Sequence, residues 1–424
     1  MSRSARFHYA WIVLAVGTLI VTGALGLARF GYSLVLPAMQ GGLGMDNTGA
    51  GALATVNLIG YLALSLLGGA LASRFGPRLV ASLGMTTTAI GMFATGTANS
   101  LWSAMFWRGL TGLGSGASNV PVMGLMSAWF GPRLRGMAAG VAVAGSSIAL
   151  IIAGPLVPRI LARFPESGWR VTWYIFGGAA LLLALLGALF LRNEPREVGL
   201  APLGGEANPV LPSPRTASLQ WGRVYRSPAV WHMGAVYAAF GFSYIIYMTF
   251  FVRYLTGEVG YTRQAAGNLF MVMGWFSLGC GLIWGSLSDL IGRKAALVLV
   301  YAIHAAAFSL FALWPQSPGL TISAILFGLT AWSIPAIMAA ACGDVLGPRL
   351  APAALGFVTL FFGIGQAIGP FVAGRMADGS GSFSGAFLLA AAVAVLGGIG
   401  AWRLRPVVAQ AKTLPVEPAG KPAR

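Results

Sequence analysis

The stretch Gly285-Ser286-Leu287-Ser288-Asp289-Leu290-Ile291-Gly292-Arg293-Lys294 leaves this chain very few folds. It is a short polar link with an apolar run on each side, Gly267 to Trp284 and Ala295 to Leu313. Each run is about long enough to cross a hydrocarbon core of ~30 Å. A link this short between two such runs forces a helical hairpin at a membrane surface. Gly285 and Gly292 permit the turn, and Asp289, Arg293 and Lys294 hold it at the water interface.

A related stretch lies 216 positions earlier, Gly69-Ala70-Leu71-Ala72-Ser73-Arg74-Phe75-Gly76-Pro77-Arg78. The register holds upstream, where Ala50-Gly51-Ala52-Leu53 meets Ala266-Gly267-Asn268-Leu269. It holds downstream, where Gly131-Pro132-Arg133-Leu134 meets Gly347-Pro348-Arg349-Leu350. A fixed offset of half the chain means a tandem duplication.

With 57% hydrophobic and 9% charged residues, the chain reads as an integral membrane protein and not a soluble enzyme. The apolar run from Trp11 is too long for a signal peptide and lacks a small-residue cleavage site. Twelve spans are predicted, at 9–39, 49–73, 78–98, 101–129, 136–160, 169–191, 228–255, 263–286, 295–314, 319–344, 353–375 and 383–402. The fold expected is all-α, with two pseudo-symmetric six-helix bundles over 1–192 and 228–404. A flexible linker is expected over 193–227 and a disordered tail over 405–424.

The formal charge of +17 does not gather on one element, so nucleic acid is not an expected partner. Nineteen Lys and Arg fall on the side of the two termini and six on the other. Both termini are therefore expected in the cytoplasm, with the chain multi-pass in a bacterial inner membrane. Cys280 and Cys342 lie in apolar runs without metal-ligand spacing, so no metal, cofactor or disulfide is expected. No nucleophile–base set or phosphate loop supports an enzyme.

Ionisable groups inside spans are costly and are candidates for function. Arg29 in span 1 and Arg108 in span 4 qualify, while all ten carboxylates fall at loops or span ends. A buried guanidinium without a carboxylate needs another anion, or carbonyls and water. For Arg29 the readings are substrate contact or a structural bond to backbone carbonyls. Tyr32, in the same span-1 text, is counted with it. In span 7, Phe240, Tyr244, Tyr247 and Phe251 form one helical stripe. A tyrosine hydroxyl there can donate to a carboxylate while its ring packs an apolar body, or the stripe is helix packing. Asn119 and Gln366 must find partners inside spans 4 and 11. Trp332 and Pro335 point to a broken or bent helix in span 10. His304 in span 9 reads as a packed histidine rather than a proton relay.

The link G-x-L-x-D-x-x-G-R-K resembles the signature loop of the major facilitator superfamily, and residues 10–403 resemble a twelve-span member. Arg135-Gly136-Met137-Ala138-Ala139-Gly140 and Asp378-Gly379-Ser380-Gly381-Ser382-Phe383 are similar to the oxalate–formate antiporter and monocarboxylate porter branch. Ala28-Arg29-Phe30-Gly31-Tyr32 and Gly363-Ile364-Gly365-Gln366 are similar to its YbfB/YjiJ-like bacterial members. The resemblance implies a cavity lined by spans 1, 4, 7 and 10. It also implies a coupling or helix-holding role for Arg108, whose stretch Arg108-Gly109-Leu110-Thr111-Gly112 resembles the span-4 motif. Basic residues that such anion carriers place in spans 8 and 11 are replaced here by Trp275, Cys280 and Gln366.

The function expected is secondary transport of a small organic anion, a monocarboxylate with an apolar or aromatic body, by rocking alternating access. Its partners are that anion, the lipid bilayer and, as an open coupling species, protons; the carrier is expected to be a monomer. The rival is proton-coupled efflux of amphipathic drugs. In the gate, Asp289, beside Arg293, is expected to meet the start of span 5 near Arg133 and Arg135 when the cytoplasmic side closes. Ser73 would be its uncharged mirror.

Overall fold

The computed structural model describes residues 8–131, 133–204, 221–346 and 350–404. The expected tail, the middle of the linker, and Pro132 and 347–349 of the downstream repeat match lie outside the described residues.

Hydrocarbon offers backbone groups no water, so apolar runs must satisfy their hydrogen bonds internally, as helices. Twelve crossings follow in order: Ala10–Leu43, Asn47–Phe75, Pro77–Thr97, Leu101–Trp129, Arg135–Arg163, Gly168–Phe190, Pro228–Gly257, the pair Arg263–Ser277 and Cys280–Ile291, Arg293–Leu313, Ser317–Leu346, Ala351–Ser380 and Ser384–Trp402. These are spans 1 to 12. Ten described helices are long and apolar enough to cross a membrane, and span 8, bent by 41°, makes an eleventh. Span 4 has the length, but Arg108, Asn119 and its glycines and serines make it too polar for that test. An even number of crossings puts the ends of both halves on one side, called here the linker side.

Span 8 corrects the expected hairpin. The helix continues through the polar stretch to Ile291, with Gly285 inside it, and the reversal takes place at Gly292 alone, with φ +88°. Continuing the helix satisfies backbone groups that an open ten-residue link would leave to solvent. Gly76, its repeat equivalent, turns span 2 into span 3 with φ +87°. Only glycine adopts that conformation without strain, so the duplication is visible in the backbone as well as the letters.

The glycines of span 4 decide how the first half packs. A Cβ on Gly112 would stand 2.0 Å from the Asn57 carbonyl oxygen of span 2, and one on Gly116 would stand 2.3 Å from that of Tyr61. On the opposite face, a Cβ on Gly114 would stand 2.4 Å from the Thr88 nitrogen of span 3. Small residues thus let three backbones touch, which presses the polar face of span 4 against span 1.

The halves meet unevenly. On the far side a Cβ on Gly51 would stand 2.2 Å from the Pro370 carbonyl oxygen, and one on Gly267 would stand 2.2 Å from that of Gly154. On the linker side Gly124, Gly136, Gly285 and Gly356 face open space, and the seam thins to the Leu282 side chain against Gly140. The cleft is therefore shut on the far side and parted on the linker side.

Residues 193–204 are not the free linker expected. Asn193 Oδ1 accepts from Arg78 N at 2.9 Å, and Leu203 pairs in parallel with Phe130 at the end of span 4. Trp129 Nε1 donates to Arg192 O at 2.9 Å beside them.

Gly112→Ala should destabilise the detergent-purified protein by ~1–3 kcal/mol through overpacking, whereas Gly124→Ala should leave Tm unchanged or raise it. Equal losses of Tm in the two variants would contradict this account of span 4.

Candidate functional site

Span 1 widens into a π-helix over Thr22–Phe30. Such segments are rare and leave carbonyls for other donors. Ser115 Oγ donates to Ala24 O, and Arg108 Nη1 donates to Ala28 O at 2.7 Å. Arg108 and Ser115 are seven residues apart, two turns on one face of span 4, and that face reads the π segment. The Arg108 guanidinium lies 4.9 Å from the Tyr32 ring centre and 4.8 Å from that of Trp173. Its residue is 1% exposed. A cation held by a carbonyl and two aromatic faces clamps spans 1, 4 and 6, while its Nε is buried without a hydrogen-bond partner.

Arg29 is placed differently. It is half-buried, and its Nη2 donates to Tyr244 Oη across the seam between halves at 2.9 Å. The guanidinium carbon lies 5.4 Å from the Tyr61 ring centre and 5.5 Å from that of Phe30. Its Nε is buried without a hydrogen-bond partner. Tyr244 Oη accepts a second bond, from Gln366 Nε2. Asn119 Nδ2 donates to Tyr61 Oη at 3.0 Å. Trp332 sits where span 10 breaks, between Thr330 and Ser333. Its indole donates to Ser147 Oγ at 3.0 Å, and its ring lies 5.1 Å from Phe30. Ser277 Oγ donates to the same Ser147 oxygen at 2.8 Å.

Of the expected substrate residues, the structure thus gathers Arg29, Asn119, Tyr244, Trp332 and Gln366. It separates two. Tyr32 is pinned beneath Arg108, and its hydroxyl donates to Ala50 O at 2.8 Å. Tyr247 is fully buried among Phe251, Phe308, Phe311, Phe327 and Phe387, with its hydroxyl on Ser323 Oγ at 2.8 Å. Tyr244 and Tyr247 share a stripe by letter count, yet three residues of helix turn one to the seam and the other into the second half. His304 is packed between Phe240, Phe308 and Phe327. Tyr61, Ser147 and Ser277 were not singled out. Tyr61 and Ser277 are repeat equivalents, 216 positions apart, and that correspondence was the available signal. A cavity of about 10 Å³ between Arg29, Asn57, Arg108 and Thr249 holds about one water.

The seam is latched at its far end. Asp378 Oδ1 accepts from Asn47 N at 3.0 Å, and its Oδ2 accepts from Thr48 N at 2.7 Å and Thr48 Oγ1 at 2.5 Å. A carboxylate of span 11 therefore caps the N-terminus of span 2, where the helix dipole favours it. Arg253 Nε donates to Gln40 Oε1 at 2.8 Å, and Gln40 Nε2 donates to Asn47 Oδ1 at 3.0 Å. On the linker side the bonds among the described residues stay within each half. Asp289 pairs with Arg293 at 2.5 Å, and Arg293 Nε also reaches Asp344 at 3.1 Å. Ser73 Oγ donates to Gly69 O of its own helix, and Arg135 Nε donates to Phe130 O. Asp289 has no bond to span 5 with the linker side open. Among the described residues, no three His, Cys, Asp or Glu side chains group as a metal site.

Residues 21–401 match the family described as "Uncharacterised MFS-type transporter YbfB". The chain is 27% identical to the hexuronate transporter of Bacillus subtilis (strain 168), over 90% of this chain and 92% of that one. It is 25% identical to monocarboxylate transporter 11 of Homo sapiens, over 92% of this chain and 81% of that one. A solved structure of a bacterial homologue of the human lysosomal transporter Spinster, inward-facing and unoccupied, superposes with a TM-score of 0.71. That match is 17% identical and covers 94% of this chain and 95% of the other, and it bears on the fold alone. The polytopic fold, the repeat and the family match lead to one conclusion: the chain is a membrane transporter of the major facilitator superfamily and belongs to its YbfB family.

Proposed function

We propose that the chain carries a small organic monoanion, a monocarboxylate with an apolar or aromatic body, through the seam between its halves. The observation that carries this reading is the convergence of Arg29 Nη2 and Gln366 Nε2 on the single oxygen of Tyr244. Two N–H donors aimed at one oxygen form the kind of recognition a carboxylate would satisfy better than a phenol. Every described carboxylate lies at a helix end or in a connection, so no described carboxylate competes for Arg29. Arg108 is committed to Ala28 and two rings. One available cation matches one negative charge. Phe30, Tyr61, Tyr244 and Trp332 offer ring faces for the rest of the solute. The relatives named for hexuronate and monocarboxylate fit the same charge class.

The linker side is then the cytoplasm of a bacterial inner membrane, given the nineteen-to-six bias of Lys and Arg. Alternating access is a rocking of the halves about the site. Asp378 latches the outside in the arrangement described, and Asp289 reaches the start of span 5 when the inside closes. Drug efflux is the weaker reading, because lipophilic cations would meet Arg29 and no deep acid.

A thermal-shift panel of lactate, benzoate, 4-hydroxybenzoate, glucuronate and a lipophilic cation should show stabilisation by one or more carboxylates. Arg29→Gln should abolish that shift while keeping the ligand-free Tm near wild type, whereas Arg108→Gln should lower the ligand-free Tm itself. Stabilisation by the cation alone, indifferent to Arg29→Gln, would overturn the anion reading. The two latches make a paired prediction for an Ala54→Cys reporter with Cys280 and Cys342 changed to alanine. Asp378→Asn should raise its labelling by an impermeant maleimide from the far side, and Asp289→Asn should lower it. Shifts in the same direction would contradict the opposed-latch scheme.

A further inference from the structure

Building on the anion reading, we infer that Tyr244, supported by Gln366, is an internal stand-in for the substrate, letting the ligand-free carrier reorient so that transport is net rather than obligatory exchange. A carrier whose site holds an ionised arginine faces a problem on its empty return. The loaded carrier crosses with its guanidinium neutralised by the anion. The empty one must shut around an unpaired cation, which is costly without acceptors.

The structure supplies those acceptors at the place where the anion would sit. Tyr244 Oη takes Arg29 Nη2 at 2.9 Å, and the bond crosses the seam from span 1 to span 7. The Tyr61 and Phe30 rings lie 5.4 and 5.5 Å from the guanidinium carbon and add cation–π attraction. Gln366 Nε2 donates to the same oxygen and so fixes the position of the phenol between the two donors. The ring is held by stacking with Phe240 at 4.6 Å and Phe362 at 5.9 Å. The phenol is thus already in position before any ligand arrives, and an incoming carboxylate must displace it from Arg29.

Two consequences follow, and a ligand-contact role for Tyr244 predicts neither. Removing the hydroxyl removes a competitor, so an anion should bind Tyr244→Phe more tightly. It also removes the acceptor of the empty state, so net flux should fall while exchange continues. The test uses proteoliposomes of wild type, Tyr244→Phe and the control Tyr247→Phe, loaded with radiolabelled benzoate or glucuronate. Efflux is measured into buffer without anion and into buffer with the unlabelled anion.

Tyr244→Phe should lose tenfold or more of net efflux, keep exchange within about twofold, and bind the anion about tenfold tighter in equilibrium titration, the scale of one hydrogen bond to a charged group. Tyr247→Phe should match wild type in all three. Weaker binding with exchange and net efflux falling together would make Tyr244 a substrate ligand and overturn the inference alone, as would unchanged net efflux. Wild type that moves neither anion in either mode would overturn the inference together with the anion reading.

Discussion

An ionised guanidinium in a membrane interior that holds no carboxylate is the constraint on which this molecule depends. Two arginines meet it in two ways. Arg108 is removed from play by the Ala28 carbonyl and the faces of Tyr32 and Trp173. That solution requires a π segment in span 1 to present the carbonyl, and glycines in span 4 to bring the donor close. Arg29, one residue after Ala28, lies at the seam and is met by a neutral phenol from the other half. The rigidity of the first arrangement positions the second. The π segment is a shared structural cause of both, since it exposes a carbonyl to span 4 and carries Arg29.

The duplication gives the halves one backbone plan but not one chemistry. The turn glycines Gly76 and Gly292 are near-identical in conformation. The carboxylates at the two ends of the seam, by contrast, both belong to the second half: Asp289 on the linker side, where the first half has Ser73, and Asp378 on the far side. Asp378 lies near the repeat position of Arg163, and a cation near a helix N-terminus cannot act as its mirror. The far end of the seam is therefore held by a carboxylate on one helix pair only. In the structure Asp378 bridges the halves, while Asp289 bonds within its own half.

Much of the fold was legible because its causes are local and periodic. Apolar runs of bilayer length, glycine punctuation and a fixed repeat offset led to twelve spans whose boundaries lie within a few residues of those observed. Part of the site was legible for the same reason: an arginine such as Arg29 in a span is conspicuous on any reading. What escaped depends on rotation and on contacts between distant segments. Letter spacing put Tyr244 and Tyr247 on one stripe, but packing against Ser323 and five phenylalanines takes Tyr247 away. The span-4 resemblance implied a helix-holding role for Arg108, but no local pattern marks a π segment, so neither its partner Ala28 nor the pinning of Tyr32 could be read beforehand. The anchoring of Leu203 on Phe130 joins residues far apart in the chain through backbone groups, to which composition is blind.

The central claim is that charge, not shape, is what Arg29 recognises. Equilibrium binding of isosteric pairs to wild type tests it most directly, with benzoate against benzamide and glucuronate against glucuronamide. The account predicts that at least one carboxylate binds tenfold or more tightly than its amide, the scale of a charge-assisted hydrogen bond. Equal affinity within each pair, or preference for the amides, would contradict it.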